Sequence, residues 1–255
     1  MYLIFDTETT GLPKKWNAPL TDSDNWPRCV QISWQIHDQG GGLISNRDYL
    51  IKPDGFKIPY DSEKIHGIST ELATQQGKEI NNVLNFFQDD LNKVQFIIGH
   101  NVNFDRNILG AEFLRKGLDD PFPSLKIIDT CTEETANVCQ IKGGPRGRFK
   151  LPTLTELYFF LFNDKFQEAH NATADVEATA RVFFELIRRK LIKPNVFDNQ
   201  NFQANKITDI QNTIALYGIK HKNLRLESQK LKSPSTDKKP PISKQLSSLK
   251  DHSYV

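Results

Sequence analysis

Short apolar runs in the first half of the chain predict five β-strands. Runs of this length that are β-prone and end at Gly, Pro or Asp are typical of strands rather than helices. The predicted strands cover residues 2–6, 29–37, 43–51, 95–99 and 125–128. Apolar and polar side chains alternate over 30–37, which predicts one exposed face for that strand. Gly40-Gly41-Gly42 predicts the hairpin turn that follows it.

Apolar residues at helical spacing predict helices between and after these strands. The clearest periodic segments are 80–91, 108–114 and 182–187. Ser69 is a predicted N-cap, 153–156 has the spacing of a capping box, and Gly117 is a predicted C′ residue. Strands that alternate with helices predict an α/β fold.

Composition divides the chain into a globular part and a basic tail. Hydrophobic residues make up 38% of the 255 positions, which is enough for a core over most of the length. Residues 220–255 contain nine Lys or Arg and three Asp or Glu, a net charge of +6, which leaves −4 for residues 1–219 out of the total of +2. We predict a domain over 1–190, a helical extension over 191–220 with a helix at 206–217, and a disordered basic linker or tail over 221–255. A solvated linker and an arm that holds nucleic acid both fit this tail.

The cysteines and the absence of long apolar runs predict a cytoplasmic protein. Cys29, Cys131 and Cys139 are too few and too irregularly spaced for a disulfide framework or a zinc site, so we expect reduced thiols. No run reaches the ~18 apolar residues of a membrane span. The chain begins in a predicted strand and not in a signal peptide.

Asp6 and Glu8 are candidate metal ligands at the end of the first predicted strand. Side chains two positions apart on a strand point to the same face, so the two carboxylates aim at one point. Such a pair is costly to bury unless a cation compensates the charge. Oxygen ligands suit Mg²⁺ or Mn²⁺. The alternative is a pair of solvated acids at a strand end.

Three segments together resemble the motifs of the DEDDh 3′–5′ exonucleases. The segment from Asp6 to Gly11, Asp-Thr-Glu-Thr-Thr-Gly, resembles the first motif. Gly99-His100-Asn101 with Phe104-Asp105 resembles the second, and His170 followed five residues later by Asp175 resembles the third in its histidine form. The order and separations are those of the family over about residues 1–190. The type most similar is the proofreading epsilon subunit of DNA polymerase III, including the exonuclease domain of bacterial polymerase III alpha chains.

This resemblance implies a fold, a cofactor and catalytic roles. The fold is an RNase H-like five-stranded mixed sheet with helices on both faces. The cofactor is two Mg²⁺ ions, for which Mn²⁺ can substitute. Asp6 bridges both ions, Glu8 and Asp175 complete one site, and Asp105 holds the second ion largely through water. His170 is the general base that takes a proton from the attacking water.

The resemblance also implies substrate contacts near the terminal nucleotide. Main-chain groups at two threonines contact that nucleotide, a leucine acts as an apolar wedge, a histidine lines the pocket, an asparagine orients the site, and an aromatic ring stacks on a base. These residues are, in that order, Thr7, Thr9, Leu12, His66, Asn101 and Phe104. A core position beneath the site is the alternative for Phe104, and a purely structural role is the alternative for His66.

The implied activity is hydrolysis of phosphodiester bonds at DNA 3′ ends with release of 5′-mononucleotides, in proofreading of DNA replication. The expected partners are a single-stranded or frayed DNA 3′ end and a replicative DNA polymerase module or subunit, with no membrane. Two alternatives stay open. One is a trimmer of RNA 3′ ends, because discrimination between RNA and DNA depends on the surroundings of the 2′-OH. The other is a non-catalytic nucleic-acid-binding module.

Overall fold

The computed structural model describes residues 1–166 and 171–192. His170, the helix predicted over 206–217 and the basic segment 221–255 lie outside these residues. The domain boundaries predicted at 190 and 220 therefore stay predictions.

A mixed five-stranded sheet, with strand order β3-β2-β1-β4-β5, forms the centre of the described structure. Its strands are β1 (Tyr2–Thr9), β2 (Cys29–His37), β3 (Leu43–Leu50), β4 (Phe96–Gly99) and β5 (Lys126–Asp129). β1 is antiparallel to β2 and parallel to β4, and β5 continues the parallel part. The predicted five-stranded mixed sheet is thus confirmed. β1 extends three residues beyond its predicted end, which brings Glu8 as well as Asp6 into the strand.

Helices cover both faces of the sheet within residues 1–166 and 171–192. They are α1 (Tyr60–His66), α2 (Thr70–Gln76), α3 (Ile80–Leu91), α4 (Val102–Arg115), α5 (Glu133–Cys139), α6 (Leu154–Phe162) and α7 (Ala172–Arg188). α1 and α5 were not predicted, because a helix of seven residues is too short to repeat an apolar pattern.

The predicted helix ends agree with the structure. The Ser69 hydroxyl accepts a hydrogen bond from the Leu72 N–H at the start of α2. Thr153 and Glu156 form a reciprocal capping box at the start of α6. Gly117, just after α4, has a φ of 70°, which is the left-handed conformation that a C′ glycine adopts.

Alternation along β1 directs its side chains into two separate cores. Leu3 and Phe5 pack in a core with residues of α3 and α4. Tyr2 and Ile4 pack on the opposite face, against residues of α7 that include Phe183. Because Asp6 and Glu8 continue the even-numbered series, they lie on the face that α7 covers.

The prediction that β2 has an exposed face was wrong, since all nine residues of the strand are buried. His37 and Gln35 pair with Tyr2 and Ile4 of β1, so they share the face that α7 covers. The polar side chains are satisfied inside the protein. His37 Nε2 lies 3.0 Å from Gln35 Oε1 and its Nδ1 lies 3.1 Å from the Gly41 carbonyl oxygen. The alternating pattern reflects buried hydrogen bonding and not solvent exposure.

No helix in the described ranges has both the length and the apolar character that crossing a membrane requires.

His100 joins the end of β4 to the segment that precedes α6. Its Nε2 lies 3.0 Å from the Pro152 carbonyl oxygen and its Nδ1 lies 2.9 Å from the Thr130 hydroxyl oxygen. A carbonyl oxygen can only accept, so Nε2 donates and the neutral ring satisfies both contacts. Burial lowers the pKa of His100 to about 4, against a smaller opposing effect of the Pro152 hydrogen bond.

This lowered pKa predicts a loss of stability in acid. In the unfolded chain a histidine has a pKa of about 6.5. As the pH falls from there toward about 4, the unfolded chain binds a proton that the folded chain excludes, so the free energy of unfolding falls. His100→Gln is expected to reduce the dependence of the free energy of unfolding on pH by up to about 1.4 kcal/mol per pH unit. Urea unfolding of both proteins across this pH range, in chelator, measures the difference.

His37→Gln is a second, independent test, because burial also lowers the pKa of His37. This variant is expected to remove a further part of the dependence of the free energy of unfolding on pH. Identical pH slopes for the wild type and His100→Gln would contradict a neutral His100 in the folded protein.

Candidate active site

Three carboxylates converge where β1 ends and α7 begins. Asp6 and Glu8 project from β1 toward α7, and Asp175 lies in the first turn of that helix. One oxygen from each side chain can be chosen so that all three lie within 4.8 Å of one another. The Asn171 side chain caps α7 by accepting hydrogen bonds from the Thr173 and Ala174 N–H groups. The cap therefore begins α7 one turn before Asp175.

Asp105 approaches the same strand end from α4. β4 pairs with β1 only as far as Ile4, so the rest of β1 extends past its parallel neighbour. There the Thr7 N–H and the Thr7 hydroxyl both donate to Asp105 Oδ1, at 3.0 and 2.6 Å. The charge of Asp105 also contributes to the raised pKa values of Asp6 and Glu8. The structure thus brings oxygens of three predicted carboxylates within 4.8 Å of one another and places the fourth, Asp105, close by on Thr7.

Burial and mutual repulsion disfavour the charged forms of these carboxylates. Burial is the largest cause that raises the pKa of Asp6 well above its usual value, followed by the charges of its three carboxylate neighbours. Burial and the charges of Asp175 and Asp105 raise the pKa of Glu8 to about 8. Burial raises the pKa of Asp105 to about 7 against the opposing hydrogen bonds from Thr7. A cation among these oxygens would remove the repulsion, and an all-oxygen donor set suits a hard divalent ion.

Asp129, at the end of β5, supports this site and was not among the predicted site residues. Its Oδ1 accepts hydrogen bonds of 2.8 Å from the Asn101 N–H and the Cys131 N–H. Asn101 precedes α4 in the left-handed conformation, with a φ of 62°, which asparagine tolerates better than most residues. Asp129 therefore stabilises the turn that leads into α4 and Asp105. Its position at the end of a parallel strand was the available sequence signal.

Glu112 is a second supporting residue that the sequence did not indicate. It lies two turns after Asp105 on α4, and its buried Oε1 accepts from Arg28 Nε at 2.8 Å and from the Cys29 N–H at 3.1 Å. The main chain of Arg28 in turn forms two hydrogen bonds with Thr10, just after β1. This network connects α4 to the chain that follows Glu8.

Among the predicted substrate residues, Leu12 and Phe104 differ in exposure. The Leu12 side chain is 72% exposed in the loop after β1. Phe104 is half-buried and packs against the core that lies between the sheet and α4. Phe104 is therefore in part a core residue, as the alternative interpretation predicts.

The other predicted substrate residues make local contacts. The Thr9 hydroxyl donates to the Gly11 carbonyl oxygen at 2.7 Å, and Gly11 has a φ of 142°, which favours glycine. His66 ends α1, and its Nδ1 accepts from the Ile68 N–H. Asn101 contributes its main-chain N–H to Asp129, and its side chain is exposed. His170 lies outside the described residues.

Curated relatives of the chain include large bacterial polymerases. It is 28% identical over 229 residues to a PolC-type DNA polymerase III of Streptococcus suis, a match that covers 89% of this chain and 14% of the polymerase. It is 26% identical over 189 residues to the PolC-type DNA polymerase III of Pediococcus pentosaceus, covering 73% of this chain and 11% of the polymerase. The chain thus spans about one seventh or less of the length of these relatives.

Solved structures of exonuclease I share the fold of this chain. A zinc-bound complex of Escherichia coli exonuclease I with single-stranded DNA matches with a TM-score of 0.59 and 22% identity, over 77% of this chain and 42% of that one. The complex of the same enzyme with a dA16 oligonucleotide matches with a TM-score of 0.58 and 21% identity, over the same shares. At this identity the likeness establishes the fold alone, which is the predicted RNase H-like fold.

A family model covers most of the described chain. The model, described as RNase_T exonuclease, matches residues 3–183, which is well over half of the 255 residues and includes all three motifs. The chain therefore belongs to this exonuclease family, and its motifs are those of the DEDDh 3′–5′ type.

Proposed function

We propose that this protein is a Mg²⁺-dependent 3′–5′ exonuclease that releases 5′-mononucleotides from DNA 3′ ends and serves proofreading of DNA replication. The observation that carries this proposal is the convergence of Asp6, Glu8 and Asp175, whose oxygens lie within 4.8 Å of one another. The family assignment supports the same reaction class. The oligonucleotide complexes of E. coli exonuclease I support DNA as the substrate.

The carboxylates fit two divalent cations. Asp6, Glu8 and Asp175 would hold one ion, and Asp6 with Asp105 would hold the second. Bound there, such ions activate the attacking water and stabilise the charge that develops on the phosphate and on the leaving oxygen. Thr7 keeps Asp105 ionisable by donating two hydrogen bonds to one of its oxygens. The zinc-bound form of E. coli exonuclease I supports a metal in this fold, and we propose Mg²⁺ or Mn²⁺ here because every donor is an oxygen.

His170 is the proposed general base. It immediately precedes Asn171, the residue that caps α7. An imidazole with a pKa near ~6.5 can take a proton from the attacking water at neutral pH. In this scheme the base lies two residues before α7 in the sequence, and α7 itself supplies the carboxylate of Asp175.

The substrate contacts are proposed around the same strand end. Thr7 and Thr9 bind the terminal nucleotide through the main chain, and Leu12 wedges against its base. Phe104 contributes the exposed part of its ring, while His66 and Asn101 line the pocket. Single-stranded or frayed ends are the proposed substrate, because a paired end must first be melted to reach these groups.

A replicative DNA polymerase is the proposed partner. The PolC-type relatives support this context, and this chain matches only a small part of each of them. We propose residues 1–190 as the exonuclease domain, 191–220 as a helical extension, and the basic segment 221–255 as a linker or tail near DNA. We place the protein in the cytoplasm, with the replication machinery.

Digestion of labelled oligonucleotides in Mg²⁺ tests the activity directly. The full chain is expected to release 5′-mononucleotides stepwise from the 3′ end, to stop when chelator is added, and to remove a mismatched 3′ terminus faster than a matched one. Chromatography of the products and single-turnover rates provide the measurements. Digestion from the 5′ end, or full activity in chelator, would contradict the reaction, and equal rates on both termini would contradict proofreading.

The main alternative is trimming of RNA 3′ ends, which the name of the matched family favours. An RNA oligonucleotide of the same sequence as the DNA tests it. Faster release from RNA than from DNA would replace the DNA proposal with RNA trimming. A chain that binds oligonucleotides with no hydrolysis in Mg²⁺ or Mn²⁺ would instead be a binding module.

Two substitutions separate the proposed roles. Asp6→Asn is expected to abolish both turnover and the increase in melting temperature that a divalent cation produces, because it removes the bridging ligand. His170→Ala is expected to reduce turnover by about 10²–10⁴-fold, the range for a lost general base, while the cation-induced increase is retained. The opposite pattern, with cation binding lost only in His170→Ala, would overturn the assignment.

A further inference from the structure

The loop between β1 and β2 presents a tryptophan to solvent. The Trp16 side chain is 57% exposed, whereas Trp26 and Trp34 are 3% and 0% exposed. Leu12, in the same loop, is more exposed still. Large apolar side chains that remain exposed in one short loop suggest a surface that receives a ligand.

Trp16 packs against Phe104, the residue next to the candidate metal ligand Asp105 in the sequence. Its ring centroid is 5.9 Å from that of Phe104, with the ring planes tilted by 49°. Phe104 is adjacent in sequence to Asp105 and packs on the core below. The exposed indole therefore adds an aromatic surface to the partly buried Phe104 ring.

Hydrogen bonds to Asn25 hold the main chain of Lys14 and Lys15, just before Trp16. The Lys15 N–H donates to the buried side chain of Asn25 at 2.7 Å, and Asn25 Nδ2 donates back to the Lys15 carbonyl oxygen at 3.0 Å. The Lys14 N–H donates to the Asn25 carbonyl oxygen at 3.2 Å. A ring held in this way needs little further ordering when a ligand stacks on it.

Two lysines immediately precede Trp16 in the loop. Lys14 and Lys15 are both exposed, and within residues 1–166 and 171–192 neither forms a salt bridge. An aromatic face with lysines beside it matches the chemistry of a single-stranded nucleic acid, in which stacked bases alternate with phosphates.

We propose that Trp16, with Leu12, forms a stacking platform for nucleobases of the single-stranded segment that leads into the active site, while Lys14 and Lys15 contact its phosphates. This proposal rests on the proposed exonuclease function and adds a binding residue to it. Every base has a π-face, so the platform binds without sequence preference. Trp16 acts in holding the strand and not in the hydrolytic step.

Intrinsic fluorescence tests this platform in the full chain. The probe is a single-stranded DNA oligonucleotide with phosphorothioate linkages at its 3′ end, added in Mg²⁺ so that hydrolysis is slow. Because Trp26 and Trp34 are buried, Trp16 is expected to account for most of the quenching when the oligonucleotide binds. Trp16→Phe is expected to remove this quenching and to retain much of the affinity.

Affinity and turnover of the variants complete the test. Trp16→Ala is expected to weaken oligonucleotide binding by about 5- to 150-fold, the loss of one stacked base, and to raise KM with little change in kcat. Phe86→Ala is the matched control, because Phe86 is also a partly exposed ring packed on one aromatic neighbour, Tyr49 at 5.8 Å, but over the edge strand β3. It is expected to bind and hydrolyse like the wild type.

The outcomes separate this proposal from the proposed function. Hydrolysis by the wild type with equal affinity for the wild type and Trp16→Ala would overturn the platform alone. Failure of the wild type to hydrolyse any 3′ end would overturn the function, and the quenching experiment would still decide whether Trp16 binds single strands. A loss in Trp16→Ala that is matched by Trp16→Phe and by a lower melting temperature in both would reveal a structural role, and the platform would be rejected.

Discussion

Electrostatic repulsion among buried and half-buried carboxylates at the end of β1 is the constraint on which this structure depends. The pleat of one strand directs Asp6 and Glu8 to the same side, and the first turn of α7 brings Asp175 to them. Such an arrangement opposes folding, because burial and like charge both raise the pKa values of the acids. A site of this kind persists because the surrounding structure forces it and a cation compensates it, which is the expected state of a metal-dependent active site.

Packing in the two cores holds the carboxylates together from opposite faces of the sheet. On one face, apolar residues of α7 pack against Tyr2 and Ile4 and hold Asp175 over the strand end. On the other face, α4 packs against the core of Leu3 and Phe5, and its Asp105 reaches the part of β1 that extends past β4. The proposed binding surface rests on the same scaffold, since Phe104 packs on that core and against Trp16 of the loop between β1 and β2.

The converging carboxylates could be predicted from sequence, whereas the hydrogen bonds that support them could not. Asp6, Glu8, Asp105 and Asp175 lie at ends of elements that short-range patterns predict, and their spacing resembles a family. Glu112 and Asp129 act through hydrogen bonds to residues 83 and 28 positions away. Only the position of Asp129 at a strand end indicates its role, and no local pattern indicates that of Glu112. The prediction that β2 has an exposed face failed for a similar reason. The polar residues of an alternating strand do not reveal whether a helix covers them.

The dependence of stability on divalent cations and pH tests the central claim most directly. In chelator, the raised pKa values predict that the melting temperature falls as the pH rises from about 6.5 toward about 8, above the range in which His100 and His37 affect stability, because the carboxylates lose protons without compensation. Mg²⁺ or Mn²⁺ should raise the melting temperature, and by more at about pH 8 than at about pH 6, since fewer protons must then be displaced. Asp6→Asn should abolish this difference. A melting temperature that is the same in chelator and in either cation at both pH values would contradict a carboxylate cluster built to hold metal.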